Sequence, residues 1–186
     1  FRLGSLVLGK TGLGLPIQTE MLELSHICNE TVNVGVLYSR QVMYMGKVQA
    51  QPAPLGIDLE VGQLVPAHCT ALGKVLLAHL PKEALEEVIR KEGLPRYTSQ
   101  TITDRAVFER SLRSVRREGS ALDDEEFRLG LRCIAAPIRR GRGEVIAAMS
   151  VAGPSSRFTL EKAREYREAV IDSAHKASIS LGIRAA

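Results

Sequence analysis

Residues 64–80, LVPAHCTALGKVLLAHL, combine side chains that can do chemistry with the start of a predicted helix. Thr70 can cap this helix because its hydroxyl can accept a hydrogen bond from a backbone N–H group of the first turn. The N–H groups that follow, beginning at Ala71, lack an intrahelical acceptor, and the first turn carries no acidic side chain. Free N–H groups and the positive end of the helix dipole favour an anion. The stretch therefore predicts a site for an external carboxylate.

Three polar side chains in the second half of the chain could complete this site. Cys133 and Ser150 lie on the two strands of a predicted hairpin, and Asp123 lies shortly upstream. If the fold brings them to the helix start, amide donors, a thiol, a hydroxyl and a carboxylate would clamp a small acid. Val65 and Leu131 would supply apolar walls. The candidate ligand contacts are Val65, Ala71, Leu72, Asp123, Leu131, Cys133 and Ser150.

Each of the three polar residues also has a structural interpretation. Asp123 could cap a turn, which is a common role of aspartate. Cys133 could be an inert core thiol, since free cysteine is among the most buried residue types. Ser150 could donate a hydrogen bond to a neighbouring carbonyl group. The residue types alone leave both interpretations open.

A different grouping, His68, Cys69, Asp123 and Cys133, has the residue types of a zinc site. It lacks the local spacing of zinc motifs, such as a CxxC or HxxxH pair, so we expect no metal. A hydrolase that uses Cys133 or Cys69 as its nucleophile is the enzymatic alternative. It requires the thiol to lie within hydrogen-bonding distance of His68.

The composition is that of an ordinary globular domain. The 186 residues suit one domain with a substantial core, and 45% of them are apolar and 25% charged. The net charge of +4 is too small to indicate a nucleic-acid surface. Three cysteines without regular spacing favour a reducing compartment, so we expect a cytoplasmic protein. The sequence has neither a run of about 20 apolar residues nor a signal-peptide pattern, which predicts no contact with a membrane.

Periodicity and turn residues predict hairpins separated by helices. The predicted helices lie at 16–28, 71–80, 81–92, 105–118 and 160–181, and the predicted strands at 31–38, 42–48, 120–123, 132–138 and 145–151. This order does not follow a regular βαβ pattern, so it indicates an α+β fold in which helices flank an antiparallel sheet. Such a sheet can curl around a small cavity.

Residues 1–14, FRLGSLVLGKTGLG, contain a formal phosphate-loop match from Gly4 to Thr11. A working phosphate loop follows a buried strand, and only three residues precede Gly4, so we interpret the segment as a linker. Because the chain begins with Phe1 instead of a methionine, we expect it to be a piece of a longer protein.

Six motifs follow one another along the chain. They are PAHCTALGK at 66–74, YTSQTI at 97–102, RREG at 116–119, DDEE at 123–126, GLRCIAAP at 130–137 and SVAGP at 150–154. Together they closely resemble the effector-binding domain of IclR-type bacterial transcriptional regulators. The resemblance covers almost the whole chain in order, which makes it more specific than any single motif.

The resemblance implies a GAF-like or profilin-like curved antiparallel sheet with a small-molecule pocket, and assembly into homodimers or homotetramers. It implies that residues 1–15 are the remnant of a linker after a missing N-terminal winged helix-turn-helix, that 16–182 form the effector-binding domain and that 183–186 are a tail. By position, it assigns ligand contacts to the seven residues named above. Ala152 stands where members that bind small oxo-acids have a second serine, and Leu72 is bulkier than the alanine of some members.

These features predict a regulatory domain and not an enzyme. We expect it to bind a small effector, an organic acid, without a cofactor. We also expect it to act on operator DNA only through the missing N-terminal domain.

Overall fold

The computed structural model describes residues 14–49 and 60–183. Within these residues the chain forms five helices and six strands. The helices are α1 (Leu15–Cys28), α2 (Ala71–Ala78), α3 (Lys82–Glu92), α4 (Arg105–Glu118) and α5 (Leu160–Ile183). The strands are β1 (Thr31–Tyr38), β2 (Gln41–Val48), β3 (Leu64–Pro66), β4 (Ala121–Asp124), β5 (Leu131–Arg140) and β6 (Glu144–Pro154).

One antiparallel sheet contains these six strands in the order β3-β2-β1-β6-β5-β4. Its centre joins β1 to β6, which are far apart in the sequence, and Asn33 lies opposite Ser150 across this pair. On the next pair, Cys133 of β5 lies opposite Ala152 of β6. At the edge, Asp123 of β4 lies opposite Cys133. The strand register therefore gathers polar residues from four strands into two adjacent rows.

Alternate residues of a strand point to opposite faces of the sheet. Each of the two faces packs against a different set of helices. The first face packs against α1 and α5 and contributes Val32, Val34 and Met149 to the core. The second face packs against α2 and α4 and contributes Ala135 and Ala148. We call this second face the α2 face. It positions the candidate site.

The ends of α4 follow local signals in the sequence. The carboxylate of Asp104 accepts a hydrogen bond from the backbone N–H of Val107 (2.8 Å) at the start of the helix. Gly119 ends the helix with a φ of 69°, a left-handed conformation that favours glycine. As a result, α4 occupies the residues predicted for it. By contrast, α5 continues to Ile183, beyond its predicted end at 181.

The predicted α+β fold, a curved antiparallel sheet flanked by helices, is confirmed. β5 and β6 are inner strands, which agrees with their nearly continuous apolar sequences. The formal phosphate-loop match at 4–11 lies outside the described residues. The proposed domain boundaries near residues 15 and 183 stay predictions.

Candidate functional site

The start of α2 has the predicted cap. The Thr70 hydroxyl oxygen accepts a hydrogen bond from the backbone N–H of Gly73 (3.3 Å), and the hydroxyl donates to the carbonyl of Pro66 (2.9 Å). The first turn carries no acidic side chain. Helix geometry leaves the N–H groups of Ala71 and Leu72 without an acceptor inside α2. The helix start is therefore suited to an anion, as the sequence predicted.

Gly73 allows the preceding loop to fold tightly against this first turn. A Cβ atom at residue 73 would lie 2.1 Å from the carbonyl oxygen of Ala67 and 2.4 Å from its Cα. Backbone atoms cannot move aside as the end of a flexible side chain can. The absence of a side chain at Gly73 thus sets the path of the chain into the helix start.

Three of the predicted ligand contacts belong to the apolar cluster on the α2 face. They are Val65 from β3 and Ala71 and Leu72 from α2, and all three are buried. Leu72 reaches the sheet, since a Cβ atom built on Gly35 of β1 would lie 3.2 Å from its Cδ1. The helix start therefore lies directly over the middle of the sheet.

The other four predicted contacts lie on the strands that face this helix start. Cys133 packs against the α2-face cluster, and alternation along β5 places Leu131 on the same face. Asp123 lies opposite Cys133, and Ser150 lies opposite Ala135 of that cluster. Paired residues of an antiparallel sheet share a face. The fold brings all seven residues to one side of the sheet, while their contact with a ligand stays a prediction.

Asp123 has the turn-capping role considered for it, while its role as a ligand contact stays a prediction. Its Oδ1 accepts hydrogen bonds from the backbone N–H groups of Glu126 (2.8 Å) and Phe127 (3.4 Å), so it does cap a turn. Only 1% of the residue is exposed, however, so the carboxyl group is inside the protein. Burial raises the pKa of Asp123 to about 7, against the opposing effect of the Lys74 ammonium. Near neutral pH this group can therefore hold or release a proton.

Lys74 is a functional candidate that sequence analysis missed. Its Nζ donates hydrogen bonds to the carbonyl of Leu122 (2.5 Å) and to the carboxylate of Glu126, and the residue is buried. These bonds tie α2 to the residues on both sides of Asp123. Burial raises the pKa of Glu126, although Lys74 opposes the shift. The sequence feature that could have identified Lys74 is its position within the apolar run of α2, because a buried ammonium group needs a partner.

Two polar residues of β1 and β2 were also missed. Tyr44 is buried in the α2-face cluster, and burial raises the pKa of its hydroxyl, with further contributions from nearby Cys133 and Asp123. Asn33 lies opposite Ser150, and its Oδ1 is buried without a hydrogen-bond partner. Strand alternation could have placed both residues beside the site, but only the register between distant strands identifies their neighbours.

The thiols and His68 do not have the surroundings of a cysteine hydrolase. Burial, reinforced by the charge of Asp123, raises the pKa of the Cys133 thiol well above its usual range and also raises that of Cys69. His68 bonds through Nε2 to the carbonyl of Pro95 (2.9 Å), and burial lowers its pKa. A catalytic thiol needs a lowered pKa or an adjacent base. These groups are instead held in their neutral forms.

Within residues 14–49 and 60–183, no three side chains of His, Cys, Asp or Glu are grouped to hold a metal ion. None of the helices in those same ranges combines the length and apolar character needed to cross a membrane.

Comparison with known proteins identifies the family of this domain. A family profile described as "Bacterial transcriptional regulator IclR C-terminal" matches residues 7–179. The chain belongs to the IclR family. The resemblance carried by the six motifs is thereby confirmed. The relatives of this IclR-family domain are transcriptional regulators, and the hydrolase alternative has no support among them.

Individual relatives of this IclR-family domain give the same result. The transcriptional repressor AllR of Klebsiella pneumoniae is 35% identical over 164 residues, which are 88% of this chain and 60% of AllR. The C-terminal domain of the Escherichia coli regulator KdgR has a similar structure, with a TM-score of 0.80 at 32% identity over 90% of this chain and 96% of that one. An IclR homologue from Microbacterium hydrocarbonoxydans, solved in complex with 4-hydroxybenzoate, has a TM-score of 0.80 at 27% identity over 91% of this chain and 67% of that one.

Proposed function

We propose that this domain binds a small carboxylate effector at the start of α2 and that the effector controls DNA binding by a longer protein. The observation that carries the proposal is a single juxtaposition. A helix start with free amides lies on the same side of the sheet as the polar side chains of Asp123, Cys133 and Ser150. Such a combination of amide donors and a few convergent polar groups among apolar walls is typical of small-molecule sites.

Each predicted contact has a distinct role in this proposal. The N–H groups of Ala71 and Leu72 bind the effector carboxylate, with the helix dipole favouring its charge. Ser150 donates a further hydrogen bond. Cys133 and Asp123 line the polar side of the site. The protonated form of Asp123 can donate a hydrogen bond to an acceptor on the ligand. The apolar walls are Val65 and Leu131.

One residue of the chain and one relative restrict the chemical class of the ligand. Ala152 provides no hydroxyl on β6 beside Cys133, so a ligand that needs two serine hydroxyls would lose a contact here. The homologue from Microbacterium hydrocarbonoxydans was solved with 4-hydroxybenzoate, which is a carboxylate. This supports an organic acid as the effector, with a shape that Leu72 and Ala152 select.

The response to the effector is a shift between subunit arrangements. We propose a cytoplasmic homodimer or homotetramer in which effector binding favours one arrangement, because a ligand can shift an equilibrium only by binding one state better. The arrangement sets the spacing of the N-terminal DNA-binding domains. Half-site spacing is a geometric requirement for operator binding by dimers.

The test is a screen of aliphatic and aromatic metabolic acids by thermal shift, followed by calorimetric titration of those that stabilise the domain. Ser150→Ala should weaken binding about fivefold, which is the effect of one lost hydrogen bond of about 1 kcal/mol. Ser173→Ala is the matched control, because Ser173 is also a buried serine but lies on α5, which covers the opposite face of the sheet. Equal effects of the two substitutions on affinity would contradict the proposed location.

A further inference from the structure

Asn33 lies in the central strand β1, and its carboxamide has an unusual environment. Only 2% of the residue is exposed, and Oδ1 has no hydrogen-bond partner within the described part of the protein. Buried polar side chains are nearly always hydrogen-bonded, because leaving one unpaired costs free energy. The carbonyl oxygen of Asn33 can therefore accept a hydrogen bond that no described residue supplies.

The carboxamide of Asn33 points to the α2 face. Its neighbours Val32 and Val34 belong to the core under α1 and α5, so the alternation of the strand directs Asn33 to the other side. Gly35, two residues further, faces Leu72 of α2. Asn33 lies opposite Ser150 on β6, and residues paired in this way have adjacent side chains. Its carboxamide is thus aimed at the proposed effector site.

On its other side, Asn33 lies opposite Lys47 of β2. The Nζ of Lys47 is 3.8 Å from Oε1 of Glu60. Ser150 is the residue of β6 paired with Asn33. The neighbouring residues on the same face of β6, Ala148 and Ala152, have no polar side-chain atom. The carbonyl oxygen of the Asn33 side chain is therefore available to a molecule bound next to Ser150.

We infer that Asn33 is a specificity-determining contact of the effector site, and that the effector carries a hydroxyl group in addition to its carboxylate. This inference rests on the proposed function. A hydroxyl group can donate a hydrogen bond, so it can pair with the unpartnered carbonyl oxygen of Asn33. A methyl or methylene group in the same place would leave that oxygen unpaired. Sites built around a hydroxyl reject analogues that lack it for this reason.

A ligand-binding role and a structural role of Asn33 predict different effects of its substitution on stability. A side chain that makes no hydrogen bond through Oδ1 in the free protein should be replaceable by an apolar one without loss of stability. Asn33→Leu should therefore leave the melting temperature unchanged or raise it. Its effect should fall on ligand choice instead. A residue kept for structural reasons would show the opposite behaviour.

The experiment compares matched pairs of acids that differ only in a hydroxyl group, by calorimetric titration of the 186-residue chain and its Asn33→Leu variant. The pairs are lactate and propionate, mandelate and phenylacetate, and 4-hydroxybenzoate and benzoate. The wild-type chain should bind the hydroxy member of at least one pair about tenfold or more tightly than its partner. In Asn33→Leu this ratio should fall to within about twofold of one. Asn33→Ala serves as a second variant in case leucine does not fit.

The outcomes separate this inference from the proposed function. If the wild-type chain binds acids but does not distinguish the members of any pair, the role of Asn33 is wrong and the carboxylate site stands. If Asn33→Leu keeps the hydroxyl preference, or if both variants melt at clearly lower temperatures, Asn33 is structural and the inference is overturned. If the wild-type chain binds none of the six acids and no acid of the thermal-shift screen, the carboxylate proposal fails and this inference fails with it.

Discussion

Lys74 and Glu126 form an ion pair inside the protein, with only 5% and 8% of their side chains exposed. The pair connects α2 to the turn that Asp123 caps. Removing one partner of a buried pair leaves an uncompensated charge, which typically costs about 3–5 kcal/mol. We therefore expect Lys74→Met to lower the free energy of unfolding by this amount in chemical denaturation. Lys74→Met combined with Glu126→Gln should cost less than Lys74→Met alone.

Lys162→Met is the control for this prediction. Lys162 pairs with Glu165 on the surface, with about half of each side chain exposed. Exposed pairs contribute little, so the substitution should change the free energy of unfolding by less than about 1 kcal/mol. Similar losses for Lys74→Met and Lys162→Met would show that the Lys74 pair does not hold the site together.

Asp123 should make the stability of the domain depend on pH. Its pKa is raised to about 7 in the folded protein, so the folded state binds this proton more tightly than the unfolded state does. The contribution is fully present below the ordinary pKa of aspartate and is lost as pH rises through about 7. Asp123→Asn imitates the protonated form. Relative to this variant, the wild type should lose up to about 4 kcal/mol between pH 4 and 8.

Burial also raises the pKa of Glu126 and lowers that of His68. Both residues are kept in Asp123→Asn, so the comparison isolates the Asp123 carboxyl group. Urea denaturation at a series of pH values measures the difference. A difference in the free energy of unfolding that stays constant from pH 4 to 8 would mean that Asp123 titrates as an ordinary exposed carboxyl group.

Gly73→Ala should disrupt the helix start. The added Cβ would overlap the backbone of Ala67, so we expect a loss of about 3 kcal/mol or more of unfolding free energy, together with weaker effector binding. Gly46→Ala is the matched control. A Cβ there would lie 3.3 Å from the end of the flexible Met21 side chain, so its cost should stay below about 1 kcal/mol. Equal costs would contradict the role of Gly73.

The chain alone should bind DNA negligibly. The net charge is only +4, and we propose that operator contacts come from a separate N-terminal DNA-binding domain. Fluorescence anisotropy with a labelled duplex at an ionic strength of about 150 mM should show no complex at micromolar protein. A complex that weakens steeply with added salt would be the opposite result, and it would mean that this domain contacts phosphates itself.

Sequence analysis succeeded where the signals are local. Asp104 and Gly119 lie at the ends of α4, and Thr70 caps α2, so each boundary could be predicted from a few neighbouring residues. The α+β class followed from the order of such elements. The family followed from motifs that run along the whole chain. These predictions did not require any knowledge of which distant residues meet.

The parts that could not be predicted depend on pairing between distant segments. The partners of Lys74 are contributed by residues near Asp123, on the far side of α3 and α4 in the sequence. The placement of Asn33 beside Ser150 depends on the register of β1 and β6, and a shift of one residue would reverse every side chain. Composition and periodicity indicate that such residues are on strands or helices, but they do not determine register.

The central claim is that the effector carboxylate binds the free amides of Ala71 and Leu72, and amide NMR tests it most directly. Spectra of the ¹⁵N-labelled chain should be recorded with and without the tightest-binding acid of the screen. The amide protons of Ala71 and Leu72 should shift strongly downfield on saturation, as expected for new bonds to an anion. The amide of Ala106, at the start of α4, should not move. Saturable binding that shifts other residues but leaves the Ala71 and Leu72 amides unchanged would contradict the account.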